Sequence, residues 1–130
     1  MNPHASAAEA YLTSSIENAP PIKIVRMLYQ GALRFLAQAA REDPSDPASR
    51  FIELCSGADA IVVELRLALD PEADDGPVVE PLRDLYAFCE RELQTAMLER
   101  DAAPLAAVER VLGTLLEAWE QVEVDATSAS

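Results

Sequence analysis

Groups that catalysis or metal binding requires are scarce in this 130-residue sequence. Histidine occurs once, as His4, where we expect a solvated ring rather than a catalytic base. The sequence has no Glu-x-x-His pair for a di-iron centre, no glycine-rich loop for phosphate and no Gly-x-Ser-x-Gly turn for a nucleophile. The acids at 72–75 lack the alternating ligands and the turn glycine of a calcium loop. We therefore expect a protein that is not an enzyme and holds neither a cofactor nor a metal.

Basic residues, cysteines and long apolar runs are also few. Ten lysines and arginines stand against twenty-three acids, a formal net charge of −13, and they are spread along the chain, so we expect no nucleic-acid binding. Cys55 and Cys89 form no Cys-x-x-Cys pair, which favours two reduced thiols in a core over a disulfide or a zinc site. The sequence has neither a membrane-spanning run nor a signal peptide, and we expect a cytoplasmic protein without membrane insertion.

Prolines divide the sequence into helical segments. A proline has no N–H to donate, so it is tolerated mainly in a loop or in the first turn of a helix. Prolines stand at each joint here, and between them apolar residues recur at helical spacing without the alternation of a β-strand. Four helices are predicted, over 20–42, 48–69, 78–100 and 102–122.

The short joints between these helices favour antiparallel neighbours. The predicted fold class is therefore all-α: an antiparallel up-down-up-down four-helix bundle with a flexible N-terminal segment. The bundle is assigned to 18–123, the flexible segment to 1–17 and a disordered tail to 124–130. Pro81 is expected in the first turn of the third helix, or it bends that helix. Asp101 is expected to cap the fourth helix by accepting a backbone N–H.

The second helix has two apolar sides. The third and fourth helices each have one main inner face, which contains Tyr86 and Trp119 respectively, and Phe88 is left among the outer charges of the third. In the second helix one face suits a core, yet a further set of residues lies roughly opposite it. That set, named the outer stripe, consists of Ile52, Ser56, Val63 and Leu67.

The first helix is also apolar around most of its circumference. Its polar residues form one narrow stripe, and we place Ile24 in the core face, Met27 on one flank of the stripe and Tyr29 on the other. Gly31 costs about 1 kcal/mol relative to alanine in a helix interior, so we expect the close approach of another backbone there.

Two helices of this kind carry more apolar surface than the core of a four-helix bundle can bury. Contiguous exposed apolar patches usually mark a partner site, and a groove for an amphipathic helix or an extended peptide is one interpretation. The alternative is a heavily covered central helix or a homodimer interface, which gives a homo-oligomeric structural or interaction protein. A further class, an acidic mimic of nucleic acid, predicts salt-sensitive binding to a basic partner.

Several segments resemble the flagellar secretion chaperone family (FliS). ENAPPIKIVRMLYQGALRFLAQA, residues 17–39, is similar to the family's opening into a Met-Leu-Tyr-Asp-Gly-Ala helix. ELRLALDPEADDG is similar to its second helix and acidic turn, PLRDLYAFCERELQTAMLERD to its third helix, and LLEAWEQV to the region of its C-terminal tryptophan. The resemblance covers roughly residues 11–122.

The resemblance implies a function. Members of that family are cytoplasmic helical bundles that bind the disordered C-terminal segment of flagellin, prevent its premature polymerisation and assist its delivery to the flagellar type III export apparatus. It implies a protein that assists flagellum assembly as a monomer or weak homodimer. The client-binding residues that it implies are Ile52, Val63 and Leu67 on the second helix, Phe88 across the groove, and Tyr11, Leu12 and Ile16 in an N-terminal segment that covers or extends the groove.

Overall fold

The computed structural model describes residues 22–69 and 76–128, which form four α-helices and, within those two ranges, no strand. The all-helical prediction and the number of helices are confirmed. The predicted helix ends differ from the observed ones by a few residues, most at the C-terminus of the last helix. Helix α1 spans Ile22–Ala39, α2 spans Phe51–Leu67, α3 spans Gly76–Glu99 and α4 spans Leu105–Ser128.

The helices pack as a closed ring. Each contacts the next along the chain, and α4 returns to contact α1. Gly31 on α1 lies beside Ile61 on α2, and Phe35, one turn later, lies beside Gly57, one turn earlier, so the two helices are antiparallel. The ring is the predicted up-down-up-down bundle.

The core lies along the axis of this ring. Ile24 was predicted to be buried, but its side chain is 48% exposed, whereas Tyr29, predicted on a flank, is fully buried. Both placements are wrong because α1 packs with the face of Val25, Tyr29 and Leu36 inward, where the Tyr29 hydroxyl is hydrogen-bonded to the Tyr86 hydroxyl on α3. The largest buried side chains are Trp119, Tyr29, Tyr86, Phe51, Leu36, Leu54, Leu82, Leu93, Leu112, Leu115, Val62 and Val108.

Two helix ends differ from the sequence-based expectation. Helix α3 begins at Gly76, so Pro81 lies inside the helix rather than in its first turn. Helix α4 continues to Ser128 through most of the predicted tail at 124–130, and the Gln121 side-chain amide donates to the Asp125 carboxylate at 2.9 Å one turn later.

The joint between α3 and α4 is closed by local hydrogen bonds. Asp101 accepts the N–H of Ala103 at 3.0 Å, so the predicted backbone acceptor is confirmed, although α4 proper begins only at Leu105. Arg100 has φ 49°, the left-handed conformation, and the next N–H, from Asp101, returns to the carbonyl of Ala96 at 3.0 Å. This is a Schellman-type end to α3 with arginine in the position that usually holds glycine.

Both cysteines are free and buried, as the sequence predicted. Burial raises the pKa of the Cys55 thiol to about 11 and that of Cys89 to about 12, so both remain protonated at neutral pH. Across 22–69 and 76–128, no helix is both long and apolar enough to cross a membrane.

Candidate functional site

The outer stripe of α2 is accessible along much of the helix. Leu67 is 70% exposed, Ile52 and Val63 are partly exposed, and Ser56 is exposed. The opposite face of the same helix lies inside the core, where Leu54, Ala58 and Val62 are buried. Helix α2 therefore presents a second apolar side to solvent, three of whose residues are predicted to bind the client.

One edge of this surface is fixed by an ion pair between α2 and α3. The Nε atom of Arg66 donates to Oε2 of Glu90 at 2.6 Å, and its Nη2 atom lies 3.4 Å from Oε1. Arg66 is three residues after Val63, so the two side chains lie on neighbouring parts of the helix surface. The groove between α2 and α3 thus runs beside the outer stripe.

A shallow depression opens on the α3 side of this groove. It has a volume of about 660 Å³ and mixes apolar surface with charged side chains of both signs. Three of the chain's ten basic residues line the depression, although the chain as a whole has a formal net charge of −13. Its lining residues are Arg66, Arg83, Asp84, Ala87, Glu90, Arg91, Gln94 and Thr95.

Asp59 is a polar residue of this groove that the sequence analysis did not single out. Its Oδ1 atom is enclosed, and no donor in the described part of the chain lies within hydrogen-bond distance. Burial raises the pKa of the carboxyl group and the charge of Glu90 raises it further, whereas a side-chain hydrogen bond with Gln94 and the charge of Arg66 lower it. A signal was present in the sequence: Asp59 is the one charged residue in the apolar run at 54–63.

Phe88 does not lie across the groove from Val63. It is two residues before Glu90, and residues two apart on a helix point to nearly opposite sides. Since Glu90 faces α2 through Arg66, the half-buried Phe88 lies on the other flank of α3. The structure therefore brings Ile52, Val63 and Leu67 onto one helix surface and leaves Phe88 apart from them.

A second apolar patch lies between α1 and α2. Met27 is 54% exposed, and the exposed Ile24 lies one turn before it. Next along this side is Gly31, where an added Cβ atom would lie 3.4 Å from Cδ1 of Ile61. The neighbour of Gly31 is thus a side chain and not the backbone that was expected. The tight contact belongs instead to Gly57, where a Cβ atom would lie 2.9 Å from the Phe35 ring.

The three predicted N-terminal client contacts lie outside the described residues. Tyr11, Leu12 and Ile16 precede Ile22, where the described chain begins. Their part in a site stays a prediction from the resemblance.

Comparison with known proteins gives matches over nearly the whole chain. Residues 4–126 match the family model described as flagellar protein FliS. The flagellar secretion chaperone FliS of Salmonella typhimurium is 30% identical over 128 residues, which cover 95% of this chain and 94% of that protein. The protein of the same name from Campylobacter jejuni is 32% identical over 123 residues, 95% of each chain. That of Bacillus subtilis is 30% identical over 112 residues, 86% of this chain and 82% of the relative.

Proposed function

Since this chain belongs to the family of the flagellar protein FliS, we propose that it is a cytoplasmic flagellar secretion chaperone whose client is the disordered C-terminal segment of flagellin. It holds this segment in a form that cannot polymerise early and assists its delivery to the flagellar type III export apparatus. The role of export chaperone follows from the relatives, which bear that name. The identity of the client rests on the family resemblance.

The observation that supports client binding is the second apolar side of α2. Burial of a leucine or valine side chain contributes about 1.5–3 kcal/mol, so Val63 and Leu67 together offer substantial binding energy. A client that folds on binding loses conformational entropy, which lowers the net affinity and permits release. This surface is therefore suited to bind and release the client without changing it chemically.

The proposed contacts are the residues predicted from the sequence, divided here by the part of the chain to which they belong. Ile52, Val63 and Leu67 form the main contact on α2. Tyr11, Leu12 and Ile16 are proposed to extend it from the N-terminal segment. Phe88 would be reached only by a client that continues over α3, because it lies on the flank away from α2.

Titration with a peptide of the C-terminal flagellin segment from the same organism tests the proposal. Calorimetry should show saturable one-to-one binding with a negative heat-capacity change, and circular dichroism should show more helix than the sum of the parts. Leu67→Asp should weaken binding by at least about 10-fold, because a charge replaces buried apolar surface.

Val124→Asp is the matched control. Val124 is 57% exposed and lies on α4, which makes no contact with α2 in the described part of the chain, so this variant should bind as the wild type does. A wild-type protein that is folded but gives no heat and no gain of helix would exclude flagellin as the client. Equal losses in both variants would show that the effect is one of added charge.

The homo-oligomer stays as the second candidate because Ile24 and Met27 form a separate exposed patch. Size-exclusion chromatography with light scattering distinguishes the two candidates. We expect a monomer, or a weak homodimer that dissociates on dilution. An oligomer that persists at high dilution would favour the structural role.

A further inference from the structure

Leu98 is the most exposed of the large apolar side chains in the described part of the chain. It is 85% exposed, against 70% for Leu67 on the outer stripe. A single exposed leucine is ordinary on a protein surface, so its meaning depends on what lies beside it. Its position relative to α2 follows from two contacts between α2 and α3.

Leu98 continues the row of α3 residues that contacts α2. Glu90 in that row is ion-paired with Arg66, and Gln94, one turn later, is hydrogen-bonded to the carboxyl group of Asp59. Leu98 follows after one further turn, on the same side of the helix. Because the partner on α2 moves back along the chain as α3 proceeds, the two helices are antiparallel. Leu98 therefore lies level with the turn of α2 that precedes Asp59.

The outer stripe has a gap at this level. Ile52 and Val63 are about 16 Å apart along the helix, and the stripe has only Ser56 between them. Leu98 lies opposite this gap, on the other side of the groove, so the apolar surface continues from one end of the gap to the other by way of α3. With Leu67 included, the row extends over about 22 Å, or about four turns of a helix.

A helix fits this row better than an extended peptide does. Both walls of the groove are α-helices, whose backbone groups are paired within each helix, so the groove offers no strand edge to an extended peptide. The backbone N–H and C=O groups of an extended peptide would lie against apolar side chains without partners, which is costly. A helix satisfies its own backbone groups and presents one apolar stripe.

Arg91, beside this row, is a cation without an acidic partner in the described part of the chain. Three arginines line the depression, of which Arg66 and Arg83 are each ion-paired with a glutamate. Arg91 is exposed and forms no ion pair with any residue of 22–69 or 76–128. It lies two turns before Leu98 on the same side of α3. A carboxylate is the group that complements this guanidinium.

We infer that Leu98 is a client-binding residue, which packs with Ile52 and Val63 against an amphipathic helix of the client, and that this helix carries an acidic residue that pairs with Arg91. The inference rests on the proposed function and deepens it. The apolar row supplies the binding energy. The ion pair fixes the direction in which the helix lies, because Arg91 is towards the Val63 end of the row.

An introduced thiol reports contact at this position directly. The two natural cysteines are buried, so in Leu98→Cys the new thiol is the one that a reagent reaches quickly at pH 8. A saturating concentration of the flagellin peptide should slow its modification by about 10-fold or more. Val124→Cys is the control, because Val124 is exposed on a helix that does not contact α2, and its rate should not change. A bound peptide that leaves the thiol at position 98 unprotected would overturn the inference.

Leu98→Asp tests the energetic contribution of this side chain. It should weaken binding by about 10-fold or more, because a charge replaces buried apolar surface, whereas Val124→Asp should bind as the wild type does. Its unfolding midpoint in urea should stay close to that of the wild type, because Leu98 is exposed in the unbound protein. If Leu67→Asp weakens binding and Leu98→Asp does not, the inference is overturned while the proposed function stands. Failure of the wild type to bind would instead overturn the proposed function.

Charge reversal tests for the acidic residue of the client. Arg91→Glu should weaken binding by about threefold or more at low salt, and by less at high salt, because salt screens an exposed ion pair. Arg110→Glu is the control, since Arg110 is exposed on α4 and its reversal changes the net charge equally. This control should bind within about twofold of the wild type. Equal effects of the two variants would overturn the pairing of Arg91 with the client.

Discussion

Arg100 has a backbone conformation that is unfavourable for a residue with a side chain. Its φ of 49° lies in the left-handed region, which costs an L-residue roughly 1–2 kcal/mol and costs glycine little. The side chain offers little in return, since its Nη1 atom reaches only the exposed carbonyl of Pro44 at 3.4 Å.

Arg100→Gly should therefore stabilise the protein. We expect the free energy of unfolding to rise by about 1 kcal/mol, measured by urea unfolding. Arg100→Ala is the control, because it removes the same side chain and keeps the Cβ atom, and it should give no gain. Equal stabilities for the two variants would show that the strain at this position is negligible.

Single residues also show what the sequence could not predict. Tyr29 was placed beside the polar stripe of α1 because helical spacing alone puts it there. Its burial depends on Tyr86, which is distant in sequence and holds the hydroxyl by a hydrogen bond. Asp59 is a similar case, since only the packed helices show that its Oδ1 atom has no donor.

At the scale of the helix, the two glycines Gly57 and Gly113 have opposite surroundings. A Cβ atom at Gly57 would lie 2.9 Å from Cζ of Phe35, so the ring would have to move away from α2. A Cβ atom at Gly113 on α4 would have nothing within 4 Å. The first glycine permits two helices to approach, and the second only loosens its own helix.

The same substitution at the two glycines should therefore have opposite effects. Gly113→Ala should raise the free energy of unfolding by about 1 kcal/mol, the usual difference in helix propensity. Gly57→Ala should lower it by about 1 kcal/mol or more, because displacing Phe35 outweighs that gain. Thermal unfolding measures both effects. In a background that carries Phe35→Ala, Gly57→Ala should be stabilising relative to Phe35→Ala alone, because the ring that blocks the Cβ atom is gone. A stabilised Gly57→Ala protein would show that the ring moves freely.

The helices were predicted well because the residues that end a helix can be recognised from the local sequence. Proline excludes itself from most helix interiors, so the clusters of proline located the joints from sequence alone. Pro81 was predicted either in the first turn of the third helix or at a bend in it, and the first alternative is wrong because the helix begins before it, at Gly76, and continues through it. The second apolar side of α2 was predicted from spacing, whereas the position of Phe88 depended on which flank of α3 faces α2, as fixed by Arg66 and Glu90.

At the scale of the whole molecule, the two buried thiols link stability to pH. The pKa of Cys55 is raised from its usual 9.0 to about 11 and that of Cys89 to about 12 because burial disfavours the thiolate. Unfolding exposes both groups, so above pH 9 the unfolded chain loses protons that the folded protein retains. Stability is therefore fully present below about pH 9 and falls as the pH rises towards 11 and 12.

Urea unfolding under reducing conditions should show this decline between about pH 9 and 11. The double variant Cys55→Ala, Cys89→Ala should lose part of the slope, whatever its stability at neutral pH. In addition, a thiol reagent at pH 8 should modify the native protein only as fast as it unfolds. Fast modification of the folded protein would contradict the burial of the thiols.

The contact between Arg26 and Glu123 has a consequence for how the chain can be cut and rejoined. Nε of Arg26, near the start of α1, lies 3.2 Å from Oε2 of Glu123, near the end of α4, so the chain enters and leaves the bundle at one pole. Arg100 and Pro44 meet at the other pole. A circular permutant that links the end of α4 directly to the start of α1 and opens the loop at 43–48 would keep every pair of neighbouring helices.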